Sequence, residues 1–403
     1  MIHQYDHLMA GGGCAGLAMA YQLRLRLGPD ARILVVDREV KDQNDRTWAF
    51  WSKNPLPLGL DQIVKHRWSN IHFGALTWNR TRSIDPYCYQ LIDGSDYYKY
   101  LKQQLTQSPN THFLQAEIAC LGEDDTGPWA KIGGDLYRAD WIFDSRVNAK
   151  DLSLEDSNPY FLWQHFRGWK VKTDRPCFNP NVATLMDFSQ NEAGEPAFFY
   201  CLPFSATEAL IEYTAFTVDI WKEEVYERQM INYLRQRFGH VGYSILEEEE
   251  GKIPMTDLDL VNRNFRRIRS IGTAGNAVKP TTGYAFLRIQ EQVSAMAEEL
   301  VNTGDISHAG LPNDRFRWYD HLLLYLLQHH PERSRDIFVS LFKGQPFERI
   351  LRFLDEDSKW WEEVLIFKDL QVGWFLEAAW KHSLRKKPSW ANQPALRKKT
   401  HYG

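Results

Sequence analysis

A glycine-rich turn between two apolar segments limits what this 403-residue chain can fold into more than any other feature of its sequence. Gly11, Gly13 and Gly16 fit the pattern G-x-G-x-x-G, with an apolar strand before them and a helical stretch after them. In this pattern the first glycine permits a tight turn, the second lets the backbone approach a pyrophosphate, and the third lets the helix pack on the strand. A second apolar strand ends in Asp37, where a carboxylate can bind both hydroxyls of an adenosine ribose. The segment therefore predicts a strand, turn, helix and strand that bind a dinucleotide.

Composition excludes several other classes of protein. With 43% apolar and 25% charged residues, the chain has the balance of a soluble globular protein of two or three structural units. A net charge of −4 gives no chain-wide basic field, so we expect no nucleic-acid partner. The five cysteines include no CxxC pair, which argues against a disulfide framework and against a metal site. The odd, widely spaced cysteines fit a reducing cytoplasm, and we find neither a signal peptide nor an apolar run of ~18 residues, so we expect a cytoplasmic protein.

The order of strand-like and helix-like segments predicts a discontinuous nucleotide domain with a second domain inserted into it. Residues 160–220 have the character of antiparallel strands, whereas residues 268–302 return to a strand, a glycine-rich loop and a long helix. We assign the nucleotide domain to residues 1–80, 96–150 and 260–302, the inserted antiparallel-sheet domain to 81–95 and 151–259, and a helical region with a basic tail to 303–403.

Two polar segments are candidates to contact the dinucleotide. In the first, the Arg46 guanidinium can bind oxyanions with paired donors, with Thr47 beside it; a surface loop with one ion pair is the alternative. The second precedes the long helix, whose unbonded amides favour an anionic group such as the N1/O2 edge of a flavin, although Thr281 or Thr282 can equally be a plain N-cap. Its candidate residues are Gly275, Asn276, Pro280, Thr282, Gly283 and Tyr284.

Acidic residues in two segments are candidates for acid–base chemistry. Strand alternation places Glu212 on one face with Leu210 and Phe216, so its carboxyl is either desolvated with a raised pKa or paired with an arginine. The acids at 247–250 form a run that is usually a solvated face. The Gly-x-Ile-Pro that follows indicates an extended segment returning to the nucleotide domain, so one of the four acids can point inward.

Five of these segments occur in the order and at about the spacing found in the bacterial flavin-dependent lycopene beta-cyclases, which the chain resembles over nearly its whole length. The segments are residues 11–17, 44–48, 210–214, 248–254 and 279–284. The resemblance implies an α/β fold with an α+β insert: a glutathione-reductase-like, FAD-binding Rossmann domain, an antiparallel-sheet substrate domain and a C-terminal helical region.

The resemblance also implies a reaction without net redox change. The linear ends of lycopene, or of another linear carotenoid, are protonated and close through a tertiary carbocation to beta rings. FAD is required in its reduced form, with NAD(P)H as a candidate electron source. Glu212 matches the essential acid of the family, and Glu248 and Glu249 are secondary catalytic candidates. In the plant members of the family the essential acid is the first of two in a motif similar to Phe-Leu-Glu-Glu-Thr. The second acid of that motif is Tyr213 here, which argues against a mechanism that needs two adjacent carboxylates at this place.

Because the implied substrate is soluble in lipid, we expect the C-terminal third to form a surface that lies peripherally on the inner face of the cell membrane. From residue 378 onward there are seven lysines and arginines and no acidic residue, a composition that favours anionic lipid. Core helices followed by a disordered basic tail are the alternative. The apolar and aromatic residues assigned to the surface are Leu322, Leu323, Tyr325, Leu326, Trp360, Trp361, Phe375 and Trp380.

Two rival functions share the predicted fold. One is a redox flavoenzyme acting on an isoprenoid or aromatic substrate, of the geranylgeranyl-reductase or hydroxylase type. Hydroxylases of that class carry an Asp-Gly pair where this chain has Asp144 and Ser145. The other rival is a non-catalytic flavoprotein that binds a carotenoid.

Overall fold

A strand, a glycine turn, a helix and a second strand open the chain, as predicted. The computed structural model describes residues 1–147, 159–189, 196–261, 265–307 and 314–384. Its strands are β1 (Ile2–Ala10), β2 (Ile33–Asp37), β3 (Thr47–Ser52), β4 (His66–Trp68), β5 (Asn70–Ala75), β6 (Trp78–Ser83), β7 (Cys88–Asp93), β8 (Thr111–Gln115), β9 (Ile118–Asp124), β10 (Gly127–Ile132), β11 (Asp135–Asp144), β12 (Phe161–Thr173), β13 (Val182–Asp187), β14 (Ala197–Pro203), β15 (Glu208–Thr217), β16 (Tyr243–Thr256) and β17 (Ile268–Ser270). Its α-helices are α1 (Cys14–Leu27), α2 (Gly94–Leu105), α3 (Glu223–Phe238), α4 (Phe286–Thr303), α5 (Asp314–His329), α6 (Ser334–Gly344), α7 (Phe347–Leu354), α8 (Trp360–Phe367) and α9 (Val372–Ser383).

The first sheet is covered on both faces, which is why its central strands are apolar along their length. Its strands run in the order β8-β2-β1-β11-β10-β9, with β17 pairing beside β11. The pairs among β8, β2, β1, β11 and β17 are parallel. Met9 and Val35 pack with α1, α2 and α4, whereas Leu8 and Val36 pack with β9 and β10. Parallel strands buried on both faces are the hallmark of the Rossmann-type domain that the sequence predicts.

The second sheet contains both parallel and antiparallel pairs of strands, and it carries Glu212 and the acidic run at 247–250. Its strands run in the order β16-β12-β15-β14-β13-β5-β6, with one parallel pair, β13 with β5. Helix α3 covers one face, and the other packs against the C-terminal helices and a third sheet, β3-β7-β4. The hairpin of β5 and β6 spans the domain boundary assigned between residues 80 and 81. It joins this sheet through β13, a distant partner that no local sequence pattern reveals.

The C-terminal helices pack on the second sheet. Leu322, Tyr325 and Leu326 of α5 are buried in the same core as Phe216 of β15. Contrary to the prediction, these three residues do not belong to a lipid-facing surface, because α5 contacts the sheet on one side and α9 on another. Leu323 and Phe375 are partly buried against that core.

The outer surface of the same region carries large aromatic side chains. Trp360, Trp361 and Trp380 are exposed. The basic tail from Arg385 onward lies outside the described residues. No helix in the described ranges is long and apolar enough to span a membrane.

Candidate functional site

The three glycines of the first turn have the conformations that their spacing predicts. Gly11 has a φ of +109°, and its amide donates to the carbonyl of Val36 at 2.8 Å. A Cβ on Gly16 would lie 1.8 Å from the carbonyl oxygen of Gly11, so only glycine lets α1 pack here. A Cβ on Gly13 would meet no atom within 4 Å. The turn therefore leaves open space at the N-terminus of α1, where free amides favour a phosphate.

Asp37 is hydrogen-bonded to the glycine-rich turn, and residues of the next polar segment contact two different partners. The Asp37 carboxylate accepts a hydrogen bond from the Gly12 amide at 2.7 Å. Arg46 is exposed, while its neighbour Asp45 is held by Lys41 at 2.8 Å. Thr47, assigned to the cofactor from the sequence, donates its hydroxyl proton to a carboxylate oxygen of Glu249 at 2.6 Å. Thr47, the first residue of β3, therefore contacts an acidic residue of the second sheet, and its assignment to the cofactor stays a prediction.

The loop before α4 is tied to its surroundings at both ends. Asn276 has a φ of 60°, and its side chain donates to Asp259 at 2.8 Å. A Cβ on Gly275 would lie 2.6 Å from the carbonyl oxygen of Ser270, so this position requires glycine. The Gly283 amide donates to the carbonyl of Lys279 at 2.9 Å, which folds the loop back on itself.

The threonines of this loop do not cap the helix that follows. The N-cap residue of α4 is Ala285, whereas Thr281 donates to Asp320 of α5 at 2.7 Å. The Thr282 hydroxyl accepts a weak hydrogen bond from the Tyr284 amide at 3.4 Å. Pro280 lines a cavity of about 60 Å³ beside Asp320. The alternative of a plain N-cap is therefore wrong, and the loop holds its shape through contacts with α5.

Lys279 anchors the loop to the C-terminal helices, a role that the sequence did not indicate. Its ammonium group lies 3.0 Å from Asp320 and 3.0 Å from Glu356, and Arg288 pairs with the same Glu356 at 2.9 Å. Lys279 and Asp320 are both buried. Buried charges of this kind are maintained only when they are paired, so the loop and the C-terminal region are bound together.

Glu212 lies on the face of the second sheet that is turned toward the C-terminal helices, as strand alternation predicts. Leu210 and Phe216 share its face, whereas Ile211 and Tyr213 pack on the opposite face against α3. Protein groups surround its carboxyl, yet the residue remains partly accessible. Burial, and then the negative charge of Glu249, raise the pKa of Glu212 to about 8. Thr214 donates to the carboxyl at 2.6 Å, and no arginine pairs with it among the described residues.

The structure separates the four acids of the run at 247–250. Glu249 is partly buried and directed inward, and burial raises its pKa. Glu248 is exposed and forms an ion pair with Arg167 at 3.0 Å. Glu247 is exposed and pairs with Lys170, and Glu250 is exposed. Of the two secondary candidates, the structure brings only Glu249 to Glu212 and leaves Glu248 at the surface, because neighbouring strand residues face opposite ways.

Three tyrosines converge on Glu212 from three different elements. The hydroxyls of Tyr89 and Tyr284 lie 3.1 Å apart, and Tyr284 is also hydrogen-bonded to Tyr200. Burial raises the pKa of each of the three phenols, and the charge of Glu212 contributes to each shift. Tyr284 was a cofactor candidate from the sequence; Tyr89 and Tyr200 were missed, since nothing local distinguishes them from core aromatics. The result is a carboxyl bordered by electron-rich rings.

The described residues fit the FAD that the resemblance implies. The space at Gly13 suits a pyrophosphate. In addition, the buried side-chain oxygen of Gln164 has no hydrogen-bond partner in the described part of the chain, and a Cβ on Gly283 would lie 2.1 Å from it. Such orphaned acceptors are rare, and an N–H group of a ring system bound beside the loop would satisfy this one. In those same described ranges, no group of His, Cys, Asp or Glu could hold a metal ion.

Solved structures with the same architecture identify the fold. A flavoprotein/dehydrogenase from Cytophaga hutchinsonii matches 90% of this chain and 93% of its own, with a TM-score of 0.60 and 13% sequence identity. Other flavin-dependent enzymes of known structure share this fold. The chain therefore has the predicted fold of the FAD-dependent flavoproteins.

Sequence comparison narrows the class to a family. Residues 6–376 match the family model described as lycopene cyclase protein, so the chain belongs to the lycopene cyclase family. It is 23% identical to a lycopene beta-cyclase from Pantoea ananas, over 87% of this chain and 90% of that protein. It is also 25% identical to a chloroplastic neoxanthin synthase from Solanum lycopersicum, over 74% of this chain and 61% of that protein.

Proposed function

We propose that this protein is a lycopene beta-cyclase that requires reduced FAD and closes the linear ends of lycopene to beta rings, giving gamma-carotene and then beta-carotene. The observation that carries the proposal is Glu212, an enclosed but accessible carboxyl whose pKa of about 8 keeps it protonated at neutral pH. A proton donor in an apolar, aromatic pocket is what a cyclisation that begins by protonating a double bond requires.

The residues around Glu212 divide the chemical work between them. The Glu212 carboxyl gives its proton to the terminal double bond, and its carboxylate then accepts a proton from the closed ring, which restores the acid. The faces of Tyr200 and Tyr284 attract the tertiary carbocation and exclude water that would convert it to an alcohol. Reduced FAD, when bound, supplies negative charge that stabilises the cation. Glu249, held by Thr47, keeps the proton on Glu212 between turnovers.

Expression in a lycopene-accumulating bacterium, followed by chromatography of the pigments, tests the proposal. We expect lycopene to be replaced by beta-carotene, or by gamma-carotene if only one end is closed. Unchanged lycopene would reject the proposal. Consumption of one NADPH per turnover by the purified protein would favour a redox flavoenzyme, because a cyclase turns over repeatedly after its flavin has been reduced once.

The rate of cyclisation should depend on pH through Glu212. Because the acid form donates the proton, kcat/KM is expected to be level at neutral pH and to fall as the pH rises through about 8. Glu249→Gln removes a negative charge beside Glu212 and should move this midpoint to lower pH. The measurement is kcat/KM against pH for both proteins with reduced FAD. An alkaline midpoint that stays in place in the variant would contradict the assignment of Glu249.

Gly13→Val should weaken FAD binding without unfolding the protein. The new side chain meets no protein atom, and Gly13 has an extended conformation that other residues adopt, but the side chain fills the space assigned to the pyrophosphate. We expect the Kd for FAD to rise at least ~10-fold, measured by flavin fluorescence, with an unchanged Tm of the apoprotein. Gly373→Val is the matched control, since a Cβ on Gly373 of α9 also meets no atom within 4 Å. Equal FAD affinity in the two variants would contradict the placement of the pyrophosphate.

We further propose that α9 lies on the cytoplasmic leaflet of the membrane. Val372, Leu376 and Trp380 recur every four residues and therefore share one side of α9, and Leu384 follows at the same spacing as its C-cap. The four side chains are 51%, 65%, 65% and 64% exposed. The basic sequence that continues from α9 suits anionic headgroups, and the proposed substrate is dissolved in lipid.

Leu376→Ser/Trp380→Ser should weaken binding to vesicles at least ~10-fold, because two large apolar side chains no longer enter the lipid. The measurement is flotation with vesicles of phosphatidylglycerol and phosphatidylcholine, compared with phosphatidylcholine alone. Leu76→Ser/Trp318→Ser changes two exposed apolar residues outside this helix and serves as the control. Equal flotation of both double variants would exclude α9 as the contact surface.

A further inference from the structure

Gly168 occupies a special place in the second sheet. It lies on β12, directly opposite Glu212 of β15 on one side and directly opposite Glu249 of β16 on the other. Residues paired in this way place their side chains on the same face of a sheet. Two carboxyls therefore flank the one position on β12 that has no side chain.

The space above Gly168 is taken by Glu249. A Cβ on Gly168 would lie 3.0 Å from Cγ and 3.2 Å from Oε1 of Glu249, and 3.3 Å from Cδ1 of Leu210. The other oxygen of that carboxyl, Oε2, accepts the hydrogen bond of Thr47. Glu249 thus lies across the glycine, on the side of the sheet where Glu212 is found, and a methyl group on Gly168 would push its side chain aside by a few tenths of an ångström.

We infer that Gly168 is a positioning residue: its missing side chain leaves the space in which Glu249 lies and so sets the distance between the Glu249 and Glu212 carboxyls. The inference deepens the proposed function and rests on it for the role of the proton on Glu212. The residue is not a catalytic one, because it contributes no atom that reacts.

The groups that face these two carboxyls are few. Glu212 faces Glu249, Thr214 and the phenols of Tyr89, Tyr200 and Tyr284. Around Glu249 are Thr47, Asp93, Lys65 and Glu247. Because Asp93 and Lys65 are paired with each other, Glu249 is the strongest nearby source of negative charge at Glu212. A change in its position should therefore be visible in the titration of Glu212.

The test is Gly168→Ala, with Gly251→Ala as the matched control. Gly251 lies on the neighbouring strand β16, and a Cβ there would press on the ring of Phe166 at 2.4 Å instead of on a carboxyl. We expect the alkaline midpoint of kcat/KM to move to lower pH in Gly168→Ala and to stay in place in Gly251→Ala. In a Glu249→Gln background, Gly168→Ala should cause no additional shift, since the charge that it displaces is already absent.

A second measurement does not depend on cyclase activity. Folding keeps a proton on Glu212 that the unfolded chain releases above its usual pKa of 4.5, so this group makes stability fall as the pH rises from there to about 8. The Tm of each protein is measured across this range relative to its Glu212→Gln counterpart. In Gly168→Ala, the fall in stability that is due to Glu212 should end at a lower pH than in the wild-type protein. An unchanged midpoint in both measurements, or the same shift in the Glu249→Gln background, would overturn the inference. A Tm effect without any cyclisation would instead reject the proposed function.

Discussion

Glu212→Gln should reduce cyclisation by ~10²- to 10⁴-fold while FAD binding remains. Glutamine has nearly the same size and can still accept the hydrogen bond from Thr214, but it has no proton to give to a double bond. The pocket therefore keeps its shape and loses its acid. The measurement is the rate of conversion of lycopene by the purified variant with reduced FAD, with flavin content determined on the same sample.

Glu208→Gln is the matched control for this variant. Glu208 lies on the same strand, β15, but pairs with Lys172 near the surface, so its loss should leave the rate within about twofold. A Glu212→Gln protein that binds FAD and converts lycopene at the normal rate would contradict the catalytic assignment. If the Glu212→Gln protein binds a carotenoid and the wild-type protein converts no lycopene, the function is that of a non-catalytic carotenoid-binding flavoprotein.

The features that the sequence predicts correctly are local ones. Gly11 and Gly16 could be assigned because a tight turn and a close helix contact each need glycine at a fixed place within a few residues. The face of Glu212 followed from alternation within one strand, with apolar residues on either side.

The features that the sequence leaves open depend on distant partners. Whether Glu248 or Glu249 points inward is decided by the register of β16 against β12, whose residues lie about 80 positions apart, and by an irregularity at Lys170 and Val171. Tyr89 looks like any aromatic residue of a strand until β7 is placed beside the loop before α4. A long-range pairing of this kind has no signature in a single sequence.

Lys279→Met should be the most destabilising of the single substitutions considered, at about 3–5 kcal/mol of the free energy of unfolding. The change leaves the buried Asp320 carboxylate without its ion pair and Glu356 with Arg288 alone. Urea unfolding followed by tryptophan fluorescence measures the loss. The affinity for FAD should fall as well, because the loop at 279–284 then loses its anchor on α5.

Lys53→Met is the control that distinguishes the loss of this buried ion pair from the loss of a lysine in general. Lys53 pairs with Asp357 at 2.6 Å, but the two side chains are 38% and 59% exposed, so its removal should change stability by about 0–1 kcal/mol. Replacing Asp320 by Asn in the Lys279→Met protein removes the unpaired charge and should restore part of the lost stability, since an amide can still accept the hydrogen bond from Thr281. If Lys279→Met were no worse than Lys53→Met, the C-terminal helices would not be anchored to the loop by charge. The apolar contacts of α5 with the second sheet would then hold the region alone.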